Sequence, residues 1–571
     1  METTVKHSHP KGLWYLFGTE MWERFGYYLM LGIFSLYMID GWNNGGMGFD
    51  AAKKSDIYGT YLGLVYLTPF IGGLLADRVL GYRRSIVMGG LMMSAGYFLL
   101  SIHSTTTFYI ALLCIIVGNG FFKPNISTLV GNLYSSDEMK DKKDAGYNIF
   151  YMGINIGAFV CNFVAAYMRI NYGWGYAFAA AGVGMLVGVA IFLLGTKHIK
   201  HVDVIKPVQQ GDMSTGKILG LTVLPMFIFG IIGYMIPGNF LGSDTNDAFI
   251  IGCLPVIGFF IYLAFKAEAK ESRAIKALLA VFTCVILFFA IFHQNGDALT
   301  VWAEDHTDRN MPASISNTAD EVGMAQVVVN NDIVSADQAT FDKTIAERRA
   351  AEEAMPAVSK EELAAKAKFS GETGQLEKSR KYFATLPGDQ VPAKGTNLKL
   401  YSTELYQSIN PFWVVVLTPF VVGFFGFLRR RKKEPSTPTK IFIGLIITAL
   451  SALVMVGAVF ATNDLTMKAS SWWLIASYGV ITIGELCLSP MGLSLVSKLS
   501  PPRITALMMG GFFLAISVGN KLSGMLSSLW ETMPQKENFF FLNFGLVLAA
   551  AVVLLLMLKW LNRVMKENNV A

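Results

Sequence analysis

Apolar runs of about 20 residues recur from end to end of this 571-residue chain, and a helix of about that length crosses the hydrocarbon core of a bilayer. Fourteen such runs are centred near residues 27, 67, 94, 116, 156, 185, 227, 257, 287, 419, 450, 483, 515 and 548. The pattern predicts an all-α membrane protein with fourteen transmembrane helices. One stretch breaks it. Residues 303–408 are hydrophilic and fall between the ninth and tenth runs. Within them "ATFDKTIAERRAAEEAM" has helical spacing, and Ser359 with Glu362 forms a capping box at the head of "SKEELAAKAKF". A small helical outer element, or a partly ordered loop, is expected there. The polar start of the chain lacks a short apolar stretch ending in small residues, so no removable signal peptide is expected.

Composition agrees with membrane insertion. The chain is 53% hydrophobic and 15% charged, against roughly 25% charged in soluble domains. All five cysteines (Cys114, Cys161, Cys253, Cys284 and Cys487) fall in apolar runs, so a disulfide framework is not supported. The formal charge of +6 is informative by location. Basic residues crowd one set of short loops, including Arg83, Arg84, Lys142, Lys143, Lys197, Lys200, Arg273 and Arg429–Lys433. The opposite loops hold few, chiefly Lys53, Lys54, Arg169, Lys468 and Lys536. By the positive-inside rule both termini are cytoplasmic and the 303–408 segment is outside. That segment carries 17 acidic and 12 basic residues between Glu304 and Glu404, a net charge of −5. The basic run "RRRKKEPSTPTK" beside an apolar span reads as a topology signal, and no nucleic-acid partner is expected.

The runs divide as six, two and six. The expected units are residues 1–200 as an N-terminal six-helix bundle and 201–270 as a linker with two additional helices. Residues 271–302 and 409–571 form a C-terminal six-helix bundle, and 303–408 a periplasmic insertion. Two six-helix halves flanking a midplane site is the arrangement of the major facilitator superfamily.

The first run carries three ionisable groups in "GTEMWERFGYYLML". Positions 20, 23, 24, 27, 28 and 31 lie at i, i+3, i+4, i+7, i+8 and i+11, which gathers Glu20, Glu23, Arg24, Tyr27 and Tyr28 on one helix face. Each lipid-facing charge at mid-helix costs roughly 2.5–3.5 kcal/mol, so that face points into a bundle or a wet cavity. A Glu–Arg pair that only holds helices together is the plain alternative. Other runs carry matching polarity: Lys123 in "FFKPNIS", Asn155 between glycines, Asn410 at a span's start, and Glu485 in "GELCLSPMGLS", where Pro490 breaks the backbone ladder. Cations at Arg24 and Lys123 in one half face an anion, Glu485, in the other. An amphoteric ligand fits such a layout.

These motifs closely resemble the proton-coupled oligopeptide transporter (POT/PTR) family, bacterial type. "EMWERFGYY" resembles its ExxERFxYY signature, "GGLLADRVLGYRRS" the superfamily's loop motif, and "FFKPNIS" and "GELCLSPMGLS" two further signatures. The resemblance implies that Arg24 and Lys123 receive a peptide carboxylate, and Glu485, with Asn155 and Asn410 nearby and Ser489 in the same motif, the amine. It implies that Tyr27, Tyr28 and Tyr66 line the cavity and that Glu20 and Glu23 couple transport to protons. The implied partners are di- and tripeptides, peptide-like drugs, H⁺ and the lipid bilayer of a bacterial inner membrane, with a monomer expected. No cofactor beyond the coupling proton and no metal are expected. No metal cluster or nucleophile–base pair occurs at usable spacing, which argues against an enzyme. Transport of an amino acid or nitrate, or a non-transporting peptide sensor, are the alternatives. Glu485 argues against nitrate, which has no amine.

The chain also departs from the family. Where many bacterial members pair an Arg on the first helix with an acid on the helix after the inserted pair, Leu31 and His293 stand here. His293 and Asp297, at i and i+4, are expected to pair on one face and to join proton coupling. The second-helix histidine of animal members is replaced by Gly59, and Phe512 stands where the family usually has Trp.

Overall fold

The computed structural model describes residues 9–136, 139, 142–204, 214–356, 359–386, 390–501 and 504–568; most of the linker "VIKPVQQGDMSTGK" lies outside them. The first bundle comprises α1 (Lys11–Ile39), α2 (Ala51–Leu75), α3 (Tyr82–Leu100), α4 (Thr105–Leu133), α5 (Lys143–Tyr172) and α6 (Trp174–Ile199). The short α7 (Thr215–Leu221) and α8 (Val223–Met235) together make one span, which pairs with α9 (Asp244–Lys266). The ninth span is α10 (Ala269–Phe292), carried on through a 3₁₀ turn by α11 (Ala298–Asp305). After the insertion come α15 (Ile409–Arg430), α16 (Thr437–Ala461), α17 (Ser471–Leu499), α18 (Thr505–Thr532) and α19 (Lys536–Glu567). Among the described residues, twelve segments are long and apolar enough to cross a membrane. The charged α1 and the Arg-headed α3 fall outside that group, yet they are 29 and 19 residues long and pack within the first bundle.

Between α11 and α15 the insertion folds into α12 (Ala313–Glu321), α13 (Gln338–Ala354), α14 (Lys360–Phe383) and an antiparallel pair, Gln326–Val329 with Asn397–Leu400. The Ser359–Glu362 capping box opens α14 as its sequence predicts. A small strand pair, Thr307–Asp308 with Ala469–Ser470, ties the insertion's root to the loop before α17.

In each bundle a continuous apolar core holds the helices together. Between bundles the dominant contact is α2 against α18, with α5 against α15 on the other flank. Glycine sets the first approach. A Cβ on Gly59 would lie 2.9 Å from Gly524 Cα and 3.0 Å from the Lys521 carbonyl oxygen, so no histidine fits where this chain has Gly59. Likewise a Cβ on Gly296 would collide with the Tyr58 hydroxyl at 1.9 Å.

Polar contacts then lock the two bundles on the insertion side. Lys54, on the first turn of α2, pairs with Asp297, and both side chains are almost fully buried. Lys521 Nζ of α18 lies 2.6 Å from Asp56 Oδ1 and 2.5 Å from Thr60 Oγ1. Ser35 Oγ donates to the Gly296 carbonyl at 2.7 Å. Arg169, in the last turn of α5, pairs with Glu404 at the approach to α15. Two sequence readings are thereby corrected. Lys54 and Arg169 are not loop residues: Asp50 caps α2 by accepting from the Lys53 N–H at 2.8 Å, so the helix starts early enough to bury Lys54. The His293–Asp297 pair is not formed. The α-helical repeat ends at Phe292, the His293–Gly296 turn is 3₁₀, and Asp297 leaves the helix at φ −125° and ψ −91°, aimed at Lys54.

A buried ion pair that loses one member is left with an uncompensated charge, at a cost of about 3–5 kcal/mol. Asp297→Ala is therefore expected to lower the thermal unfolding midpoint in detergent markedly. Adding Lys54→Met should restore most of the loss. A midpoint unchanged in Asp297→Ala would show that the pair contributes nothing to holding the bundles together.

Candidate substrate cavity

Helix α1 can hold three ionisable groups because it is enclosed by α5 and α6 along its length. Glu20, Glu23 and Arg24 are 3%, 0% and 2% exposed, so none of them meets lipid. Arg24 is held by both Glu23 oxygens, one at 2.5 Å from Nη2 and the other at Nε, and its Nε lies 3.5 Å from Glu20. The guanidinium carbon also sits 4.7 Å from the Tyr27 ring centre and 5.8 Å from that of Tyr28. Glu20 Oε2 is buried without a hydrogen-bond partner among the described residues.

Lys123 approaches from α4. Its ammonium stands 4.3 Å over the Tyr66 ring of α2, and no described carboxylate lies at ion-pair distance. It remains within electrostatic reach of Glu20, Glu23, Arg24 and His293. The first bundle thus offers one cation already neutralised, Arg24, and one that is not, Lys123.

The opposing bundle supplies the anion. Asn410 Nδ2 of α15 donates to Thr482 Oγ1 at 2.9 Å and to Glu485 Oε2 at 3.2 Å, which fixes the Glu485 carboxylate on α17. Tyr28, Tyr66 and Tyr151 of the first bundle all lie within electrostatic reach of Glu485. Lys123, Tyr28, Tyr66, Asn155, Asn410, Glu485 and Ser489 are each half-buried, although they lie within membrane-length helices. Asn155 donates to the Tyr151 carbonyl of its own helix at 2.9 Å. His293 closes the group from the 3₁₀ turn that follows α10. Its ring stacks on Phe289 at 5.5 Å and faces Tyr66 at 5.8 Å, with Nδ1 buried and unpartnered among the described residues. The sequence-read residues are therefore brought together, except that Asp297 turns away to Lys54, Asn155 bonds back to its own helix and Ser489 stands one turn further along α17. Phe512 is buried against Phe282, with ring centres 5.7 Å apart.

Sequence reasoning missed Lys521, Asp56 and the Lys54–Asp297 pair. The signal was present for Lys521, the single charge inside the otherwise uncharged run 505–530, since an ionisable residue in a span implies a partner.

Two six-helix bundles that bring polar groups from both halves together within membrane-length helices define a multi-pass membrane transporter of the major facilitator type. The chain belongs to the POT family, which it matches over residues 83–328 and 393–543. It is 29% identical to an uncharacterized transporter, YclF, of Bacillus subtilis, covering 98% of this chain and 95% of that protein. It is 28% identical to a di-/tripeptide transporter of Lactococcus lactis, over 96% of this chain and 95% of that one. A crystal structure of a peptide transporter POT in complex with sulfate superimposes with a TM-score of 0.73 at 26% identity, covering 98% of this chain and 96% of that one. The alafosfalin complex of such a transporter gives 0.72 at 26% identity, over 98% of this chain and 96% of that one. This is a family of transporters, not enzymes.

Proposed function

We propose that the protein imports di- and tripeptides across the plasma membrane, the inner membrane of a bacterium, by alternating access coupled to H⁺ symport. Both termini lie in the cytoplasm and the insertion outside. The observation that carries this reading is Tyr66, which holds the Lys123 ammonium over its ring and lies, with Tyr28, within electrostatic reach of Glu485 of the other bundle. A short zwitterion satisfies both: carboxylate to Lys123, ammonium to Glu485, peptide amide among the tyrosines. The relatives named as di-/tripeptide transporters support the substrate class.

Proton coupling follows from the way Arg24 is held. While Glu23 is ionised, it occupies the guanidinium. A proton on Glu23 or Glu20 weakens that hold and frees Arg24 to join Lys123 at the ligand carboxylate, so proton and peptide favour the same state. The potential supplies the direction, about 2.3 kcal/mol per charge moved through 100 mV. Asp297 works the outer side: protonating it breaks the pair with Lys54 and removes one contact that keeps that side shut. His293, between Tyr66 and Phe289 and near Lys123, is the group that replaces the family's acidic gate residue.

In proteoliposomes an imposed inward pH gradient is expected to drive accumulation of L-alanyl-L-alanine, with nitrate and free alanine excluded. Accumulation that ignored the gradient, or required Na⁺, would contradict proton coupling. Lys123→Ala and Glu485→Gln should each weaken dipeptide binding by about 10- to 150-fold, the loss of one charge-assisted hydrogen bond of roughly 1.5–3 kcal/mol, with unfolding unchanged. Binding by calorimetry within twofold of the parent in both variants would refute the site. His293→Gln should alter the pH profile of proton-driven uptake; an identical profile would remove His293 from coupling.

A further inference from the structure

A second polar space lies outside the membrane core, where the insertion meets both bundles. It has a volume of about 250 Å³ and is walled by the end of α1, by Arg169 and Trp174, by the root of the insertion and by α14. Helix α14 roofs it and grips both halves of the protein within one turn. Lys378 Nζ lies 3.0 Å from Asp40 Oδ2 at the end of α1. Three residues on, Lys381 Nζ lies 2.7 Å from Asp305 Oδ1 at the end of α11. A volume of this size holds many waters or one small solute.

Four of the five cations on its walls have a carboxylate partner. Arg169, Lys378 and Lys381 each have a carboxylate partner, and Arg309, 2% exposed, lies 3.2 Å from Glu304. Lys468 is the exception. Its ammonium donates to the Asp305 carbonyl at 2.8 Å and stands 4.4 Å over the Tyr382 ring, with no described carboxylate at ion-pair distance. Burial, and Arg309 beside it, push its pKa down to about 8, against the opposing pull of Asp305, Glu304 and Asp308. Arg309 Nε is likewise buried without a partner among the described residues. The carboxylates Asp40 and Glu377 on the same walls are already paired, with Lys378 at 3.0 Å and with Arg349 at 2.7 Å.

We propose that this chamber is an outer binding site for a short peptide, whose terminal carboxylate pairs with Lys468. The proposal rests on reading the protein as a peptide transporter, and it adds a station on the insertion side that is separate from Lys123 and Glu485. A carboxylate arriving there also competes with Asp40 and Asp305 for Lys378 and Lys381. Occupancy therefore loosens α14 from the two bundles it bridges.

The test is the stoichiometry of radiolabelled L-alanyl-L-alanine bound at saturation by the full-length protein in nanodiscs. Two equivalents per chain are expected. Lys468→Gln should lose one and Lys123→Ala the other, while Lys468→Arg retains both. A single equivalent in the parent protein, lost in Lys123→Ala, overturns the outer site and leaves the central one standing. Two equivalents that both survive Lys468→Gln overturn it as well. One equivalent that survives Lys123→Ala and is lost in Lys468→Gln keeps the chamber and removes the central site instead.

Discussion

A charge inside a membrane must be compensated by the protein, because no solvent is there to do it. That constraint organises this molecule. Among the described residues, the cations of the membrane helices that join or line the two bundles include Arg24, Lys54, Lys521, Arg169 and Lys123. The first four are held by Glu23, Asp297, Asp56 and Glu404. Lys123 has only the face of Tyr66. In the proposed reading the pairs keep parts of the molecule shut, and the exception is where a ligand binds.

The pairs differ in kind. Glu23 and Arg24 are neighbours on one helix, so their contact can be made and broken without moving a bundle. Lys54–Asp297 and Lys521–Asp56 join different bundles, so breaking them permits movement of one half against the other. In the proposed cycle a proton that reaches the first kind changes ligand affinity, a proton that reaches the second changes conformation, and symport uses both. The insertion adds a third layer, with Lys378 and Lys381 of α14 fastening the same two halves from outside.

Much of this was legible in the chain. Twelve of the fourteen apolar runs are helices long and apolar enough to cross a membrane among the described residues, because length and hydropathy are local properties, and the α1 stripe follows from helical periodicity alone. The capping box at Ser359 was readable for the same reason. What was not legible depended on where a helix stops. The i, i+4 spacing of His293 and Asp297 implies a pair only if the helix continues, and a 3₁₀ turn with Gly296 against Tyr58 ends it. Lys54 resembled a loop residue because Asp50, its helix cap, lay four positions upstream. Asp56 and Lys521 are separated by most of the chain, and only the glycine-lined approach of α2 to α18 brings them together.

The most direct test of the central claim is a structure with L-alanyl-L-alanine bound, solved by crystallography or electron cryo-microscopy. The account predicts the peptide between the bundles, its carboxylate at ion-pair distance from the Lys123 ammonium and its amine on Glu485. A peptide lying in the reverse orientation, or touching neither side chain, would contradict it.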